Sequence, residues 1–178
     1  TNGVIRRIAD LCRQNGLQLI GHAIGDRANH ELIEFFKATW PNLRSARARL
    51  EHAQHLHAPD IAMVGRLGVI TSYQPFHKAD DGRCAESYLG EARCRSSYAY
   101  KDVLDSGGVL AFGSDWPVVT INPFLGIEAA VTGRTLAGQL WQTRNNITVT
   151  EALRGYTSSA AYAMFWENKV GRIAPGYL

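Results

Sequence analysis

The chain has 178 residues, 46% hydrophobic and 20% charged, with a net charge of +3. This is ordinary globular composition, enough for one core, and it has no apolar run long enough to cross a bilayer. There is no basic-then-apolar leader. Arginines are scattered from Arg6 to Arg172, with none of the clustering and interleaved aromatics of a nucleic-acid footprint, so no nucleic-acid or membrane partner is expected. Cys12, Cys84 and Cys94 form neither a C-x-x-C motif nor a complete disulfide framework, which suits a reducing, cytoplasmic setting.

In chain order, helix-period and strand-type segments alternate, the pattern of a parallel sheet wrapped by helices. Val4 to Gln14 has apolar residues at Val4, Ile5, Ile8, Leu11 and Cys12, a helical period that puts Cys12 on the apolar face. Gly16 is the expected C-cap, and Leu17 to Gly21 a buried strand. Gly25 is expected to make a tight turn and Asp26 to cap a helix running to Thr39, with Pro41 as the stop. Ala46 to Glu51 is a second strand, Pro59 to Leu67 a short helix, and Val69 to Ser72 a third strand. Tyr73 to Ala92 is polar and reads as a long loop, the natural place for substrate selection. A helix from Tyr98 to Ser106 precedes a fourth strand, Val109 to Phe112. Pro123 starts a helix covering Leu125 to Val131. Thr148-x-x-Glu151 is a capping box opening a last helical region that reaches Phe165.

Four β–α units in a row fit half of an eightfold barrel, and a doubly wound open sheet fits the same alternation. The absence of G-x-G-x-x-G after a strand lowers the dinucleotide-binding version. Three chemistry-bearing side chains sit just past apolar runs, in Leu19-Ile20-Gly21-His22, Ala48-Arg49-Leu50-Glu51-His52 and Leu110-Ala111-Phe112-Gly113-Ser114-Asp115. The carboxyl ends of parallel strands are where a barrel builds its active site. Two imidazoles and a carboxylate can hold a divalent metal and leave a position open for water. Glu51 and His52 are adjacent on a strand and are expected to face opposite ways, so at most one enters the barrel. His55 and His57 read as surface histidines.

The segments His22-Ala23-Ile24-Gly25-Asp26-Arg27-Ala28, Glu51-His52-Ala53-Gln54 and Gly113-Ser114-Asp115-Trp116-Pro117-Val118 together resemble the amidohydrolase superfamily, and more narrowly amidohydrolase family 3, with its YtcJ-like proteins and N-substituted formamide deformylases. Ser72-Tyr73-Gln74-Pro75-Phe76-His77 resembles that group's S-x-QP-x-H segment. Val170-Gly171-Arg172-Ile173-Ala174-Pro175-Gly176 resembles the family's return into a small β-sandwich.

The resemblance implies an α/β fold, a partial (β/α)8 TIM barrel of the metal-dependent hydrolase type. Residues 1–178 would supply strands five to eight and their flanking helices as a single partial domain, part of a longer chain. His22, His52 and Asp115 are the implied metal ligands, Asp115 also the general base. Gln74, His77 and Trp116 are candidates for substrate contact. The implied cofactor is a divalent metal, zinc, as one or two ions. The implied activity is hydrolysis of a non-peptide C–N bond in a small-molecule amide or formamide, the segment alone being inactive and prone to associate, with a homo-oligomer as the possible assembly. The alternative is a catalytically silent barrel that binds or signals.

Overall fold

The computed structural model describes residues 3–178. Four short parallel strands form one sheet: β1 (Ile20–Ala23), β2 (Arg49–His52), β3 (Ile70–Tyr73) and β4 (Val109–Phe112), in the spatial order β1-β2-β3-β4. Sequential order without a reversal is that of consecutive barrel strands. A doubly wound sheet would reverse direction at a switch point, so the open-sheet alternative is set aside.

The helices are α1 (Gly3–Gln14), α2 (Asp26–Thr39), α3 (Leu43–Ala46), α4 (Ala58–Leu67), α5 (Pro75–Asp81), α6 (Ala85–Leu89), α7 (Glu91–Cys94), α8 (Tyr100–Asp105), α9 (Pro123–Thr132), α10 (Val149–Tyr156) and α11 (Ser158–Ala163), with a 3-10 turn at Thr143–Asn145. Among the described residues no helix is long and apolar enough to cross a membrane.

The strand register sorts side chains by face. His22 pairs with Glu51, Glu51 with Ser72 and Ser72 with Ala111, so these share one face with Ile20, Arg49, Ile70 and Val109. On this face Ile70 and Ala111 pack with Ala163 and Tyr162 from the α11 segment. The opposite face sends Leu50, Tyr73, Leu110 and Phe112 into the main core with Ile33, Phe36, Val64 and Val103 of the helices. Gly21 is on that side too: a Cβ there would lie 2.3 Å from Leu32 of α2, so glycine lets strand and helix touch.

The local signals explain most boundaries. Gly16 is left-handed at φ 66°, and the Leu17 N–H donates to Cys12 O at 2.8 Å, which closes α1 in a Schellman motif. Gly68 and Gly133 end α4 and α9 in the same conformation. Thr148 and Glu151 make both halves of the capping box.

Several expectations are corrected. The first strand begins at Ile20 rather than Leu17, because its ladder starts only where it meets Arg49. It is an edge strand, with Ile20 42% exposed, not a buried one. Gly25, not Asp26, occupies the N-cap of α2 in ordinary extended geometry, and no side chain caps it. Ala46 belongs to α3, whose cap is Asn42 accepting from the Ser45 N–H at 3.0 Å. The stretch from 73 to 92 is largely helical: Pro75 opens α5, a proline first-turn signal inside a polar segment. The helix expected from Tyr98 starts at Tyr100, since Tyr98 is left-handed at φ 48°. The last helical region breaks at Thr157 into α10 and α11. Cys12 is half-buried rather than in the core, while Cys94 is buried.

Candidate metal centre

The loops after β1 and β2 are knitted together at the carboxyl end of the sheet. The Ala53 N–H donates to Ala23 O and the His55 N–H to Ile24 O, both at 3.0 Å. Fully buried Asn29 donates from Nδ2 to the carbonyls of Ile24, Gly25 and His55. One amide thus fixes both loops.

His22, one residue before the end of β1, is exposed on the open face. Strand alternation alone would send His52 toward the helices with Leu50. Instead His52 has φ 76° and Ala53 φ 47°, a left-handed pair that few non-glycine residues adopt. The chain turns there, and the His52 ring meets the His22 ring edge-on with centroids 4.4 Å apart. Glu51 shares the face of His22 and pairs with Arg49 at 2.7 Å. The expectation that only one of Glu51 and His52 could face inward therefore fails, because the positive φ overrides alternation.

Asp115 follows β4 and is also left-handed, at φ 57°. His77 lies on α5, just past β3. Ligand atoms of His52, His77 and Asp115 all lie within 4.8 Å of one another. His77 Nε2 is 4.0 Å from Asp115 Oδ2, and the His77 and His52 rings stack at 6.0 Å. His52 Nδ1 and His77 Nε2 are buried with no hydrogen-bond partner among the described residues. Burial pushes the His77 imidazole toward its neutral form, against the pull of Asp115 and Asp81. Neutral imidazoles and a carboxylate are the donor set of a divalent metal. Orphaned buried nitrogens facing a carboxylate are what such an ion would satisfy, so the residues fit a metal.

His22, His52, His77 and Asp115 line one cavity of about 690 Å³. Gln74 does not reach it. It is buried, donates from Nε2 to Ser72 O at 3.3 Å, and leaves Oε1 without a partner. Trp116 is 65% exposed and outside the lining, where Val118 and Val119 stand instead. His55, expected at the surface, is half-buried in the cavity wall with Nδ1 2.7 Å from Ser97 Oγ. Asp81 and Gln54 are further wall residues that sequence reasoning passed over. Asp81 sits one helical turn after His77, which was the available signal.

With this geometry in view, three curated relatives and one solved structure are informative. The chain is 37% identical over 169 residues to Protein LONG AFTER FAR-RED 3 of Arabidopsis thaliana, covering 93% of this chain and 29% of that protein. It is 30% identical over 187 residues to the putative amidohydrolase YtcJ of Bacillus subtilis, covering 99% and 35%. It is 26% identical over 163 residues to an N-substituted formamide deformylase of Arthrobacter pascens, covering 90% and 30%. An uncharacterized metal-dependent hydrolase from Pyrococcus horikoshii superposes with a TM-score of 0.86 at 27% identity, covering 98% of this chain and 35% of that one. The chain spans about a third of the length of these proteins. Its four parallel strands and flanking helices form a partial TIM barrel. The sequence profile described as Amidohydrolase family, family 3, matches residues 1–178. The chain belongs to amidohydrolase family 3.

Proposed function

We propose that this chain is the second half of the catalytic barrel of a metal-dependent amidohydrolase, cleaving a non-peptide C–N bond of amide or formamide type in a small molecule. The observation that carries the reading is the convergence of His52, His77 and Asp115 within 4.8 Å, with His22 against His52, in one cavity. Four sequence-distant segments deliver these side chains, two of them, His52 and Asp115, on left-handed backbone. Strain of that kind clusters at functional sites.

His22, His52 and Asp115 are the proposed ligands, with His77 completing the donor set and zinc the proposed ion, as one or two equivalents. When bound, such an ion supplies Lewis-acid polarisation of a carbonyl and a lowered pKa for a water. The chain's own part is acid–base work. The Asp115 carboxylate, 40% exposed at its side chain, is open to a water from the cavity. It accepts the water's proton as oxygen attacks the carbonyl carbon, then returns that proton to the leaving nitrogen. His77 Nε2, 4.0 Å from Asp115 Oδ2, places an imidazole beside the carboxylate. Neutral imidazoles are required for metal binding, so protonation at acid pH opposes it.

The test is hydrolysis of an amide and formamide panel by the natural full-length protein. Chelation should abolish turnover and zinc restore it, and His52→Ala or Asp115→Ala should lower kcat/KM by about 100-fold or more. Turnover indifferent to chelation, or a metal-loaded folded protein inert to the whole panel, overturns the reading. The 178-residue segment alone is proposed to be inactive.

A further inference from the structure

The cavity has a second polar wall, built around Asp81. Its Oδ2 accepts from Gln54 Nε2 at 2.5 Å and from the Tyr98 hydroxyl. Gln54 also donates to the Tyr98 oxygen at 2.7 Å. Gln54 is 7% exposed and Tyr98 fully buried, so two fixed donors hold one carboxylate oxygen. The other, Oδ1, has no donor among the described residues, and the residue lines the cavity.

No lysine or arginine lies in the described lining. Asp80 has its own cation, Arg83. Asp81 has none. Its imidazole neighbour in the lining, His55, is pushed toward neutrality by burial and tied through Nδ1 to Ser97. A part-buried carboxylate without a counter-ion is costly unless something charged or donating meets it.

We propose that Asp81 recognises the amine side of the substrate, its free oxygen accepting hydrogen bonds from an ammonium or amidinium group, so that the preferred amides are cationic and not carboxylate-bearing. Substrate assignment rests on the hydrolase reading above; the recognition role does not. The orientation of Asp81 by Gln54 and Tyr98 makes the contact directional, and a charge-assisted hydrogen bond to a carboxylate discriminates against an anion.

The probes are three acetamides of matched size: N-(3-aminopropyl)acetamide, N-propylacetamide and N-acetyl-β-alanine. Calorimetric binding is read on the full-length protein carrying Asp115→Asn, which blocks turnover. The cationic amide should bind about tenfold or more tightly than the other two. Adding Asp81→Asn, which keeps an acceptor for Gln54 and Tyr98, should bring it to within about twofold of the neutral amide. Equal or tighter binding of the anionic amide, or a preference that survives Asp81→Asn, overturns the proposal. The ranking on the parent protein stands as a test even if the second substitution unfolds it. Turnover by the unsubstituted protein is followed separately. The ranking without turnover upholds Asp81 and overturns the hydrolase reading, and turnover without the ranking does the reverse.

Discussion

At the scale of residues, backbone conformation does what side-chain pattern does not announce. His52 and Asp115 were legible in the sequence because each follows an apolar run at a strand end. The strand-end positions already placed them at one mouth of the sheet; what alternation hides is the direction of His52, assigned to the helix side until its positive φ brings the ring to His22. His55, His77 and Asp81 become neighbours of the site through α5 and the segment after α7, contacts between residues over twenty positions apart. Local pattern carries the helical spacing of His77 and Asp81 but not these distant contacts. The Asp81–Gln54–Tyr98 triad makes a direct prediction. Tyr98→Phe removes a buried donor from Asp81 and should cost about 1–3 kcal/mol. Urea unfolding of the two proteins checks this; a change below about 0.5 kcal/mol, the level of ordinary surface substitutions, contradicts it.

At the scale of elements, the four strands and the helices α1, α2, α4, α9 and α10 follow from apolar periodicity and caps, because those elements carry their own signals. Residues 73–92 misled because polarity there reflects the cavity rim and solvent, while Pro75 at a first helical turn marks α5. Lys78 of α5 is nearly fully buried, donating from Nζ to Asn146 Oδ1 at 2.8 Å and to Gln142 O at 3.3 Å. Burial lowers its pKa from 10.5 to about 7. Between those values the unfolded chain binds more protons than the folded one, so stability rises with pH across that window. Unfolding free energies at pH 7 and 9.5 should show the rise in the natural protein and a flatter profile in Lys78→Met. An equal slope in both assigns it to other groups. At the far end of the strands, Arg47 makes a bidentate pair with Glu167 and stacks over Tyr162 at 3.8 Å and Phe165 at 4.2 Å. Arg47→Ala should destabilise by about 1–3 kcal/mol through lost packing and hydrogen bonds. A midpoint unchanged in denaturant would show that the pair contributes nothing.

For the whole molecule, the sequential sheet leaves its β1 side open. Val4, Ile5, Ile8 and Leu11 of amphipathic α1 are 49–60% exposed, and Ile20 on the edge strand is 42% exposed. An apolar helix stripe beside an open strand edge invites pairing with another chain. The isolated segment should therefore sediment as concentration-dependent associates, and replacing Ile5 and Ile8 with lysine should shift it toward monomer. A monomer over the accessible concentration range contradicts this. Four β–α units and three strand-end motifs made the partial barrel legible. His22, His52 and Asp115, with His77, are proposed to hold a catalytic metal. Elemental mass spectrometry of the full-length protein, beside its His52→Ala and Asp115→Ala variants, tests it most directly. About one or two equivalents of zinc, falling in both folded variants, is the predicted result. A folded wild-type protein without metal, or variants that retain it in full, would contradict the account.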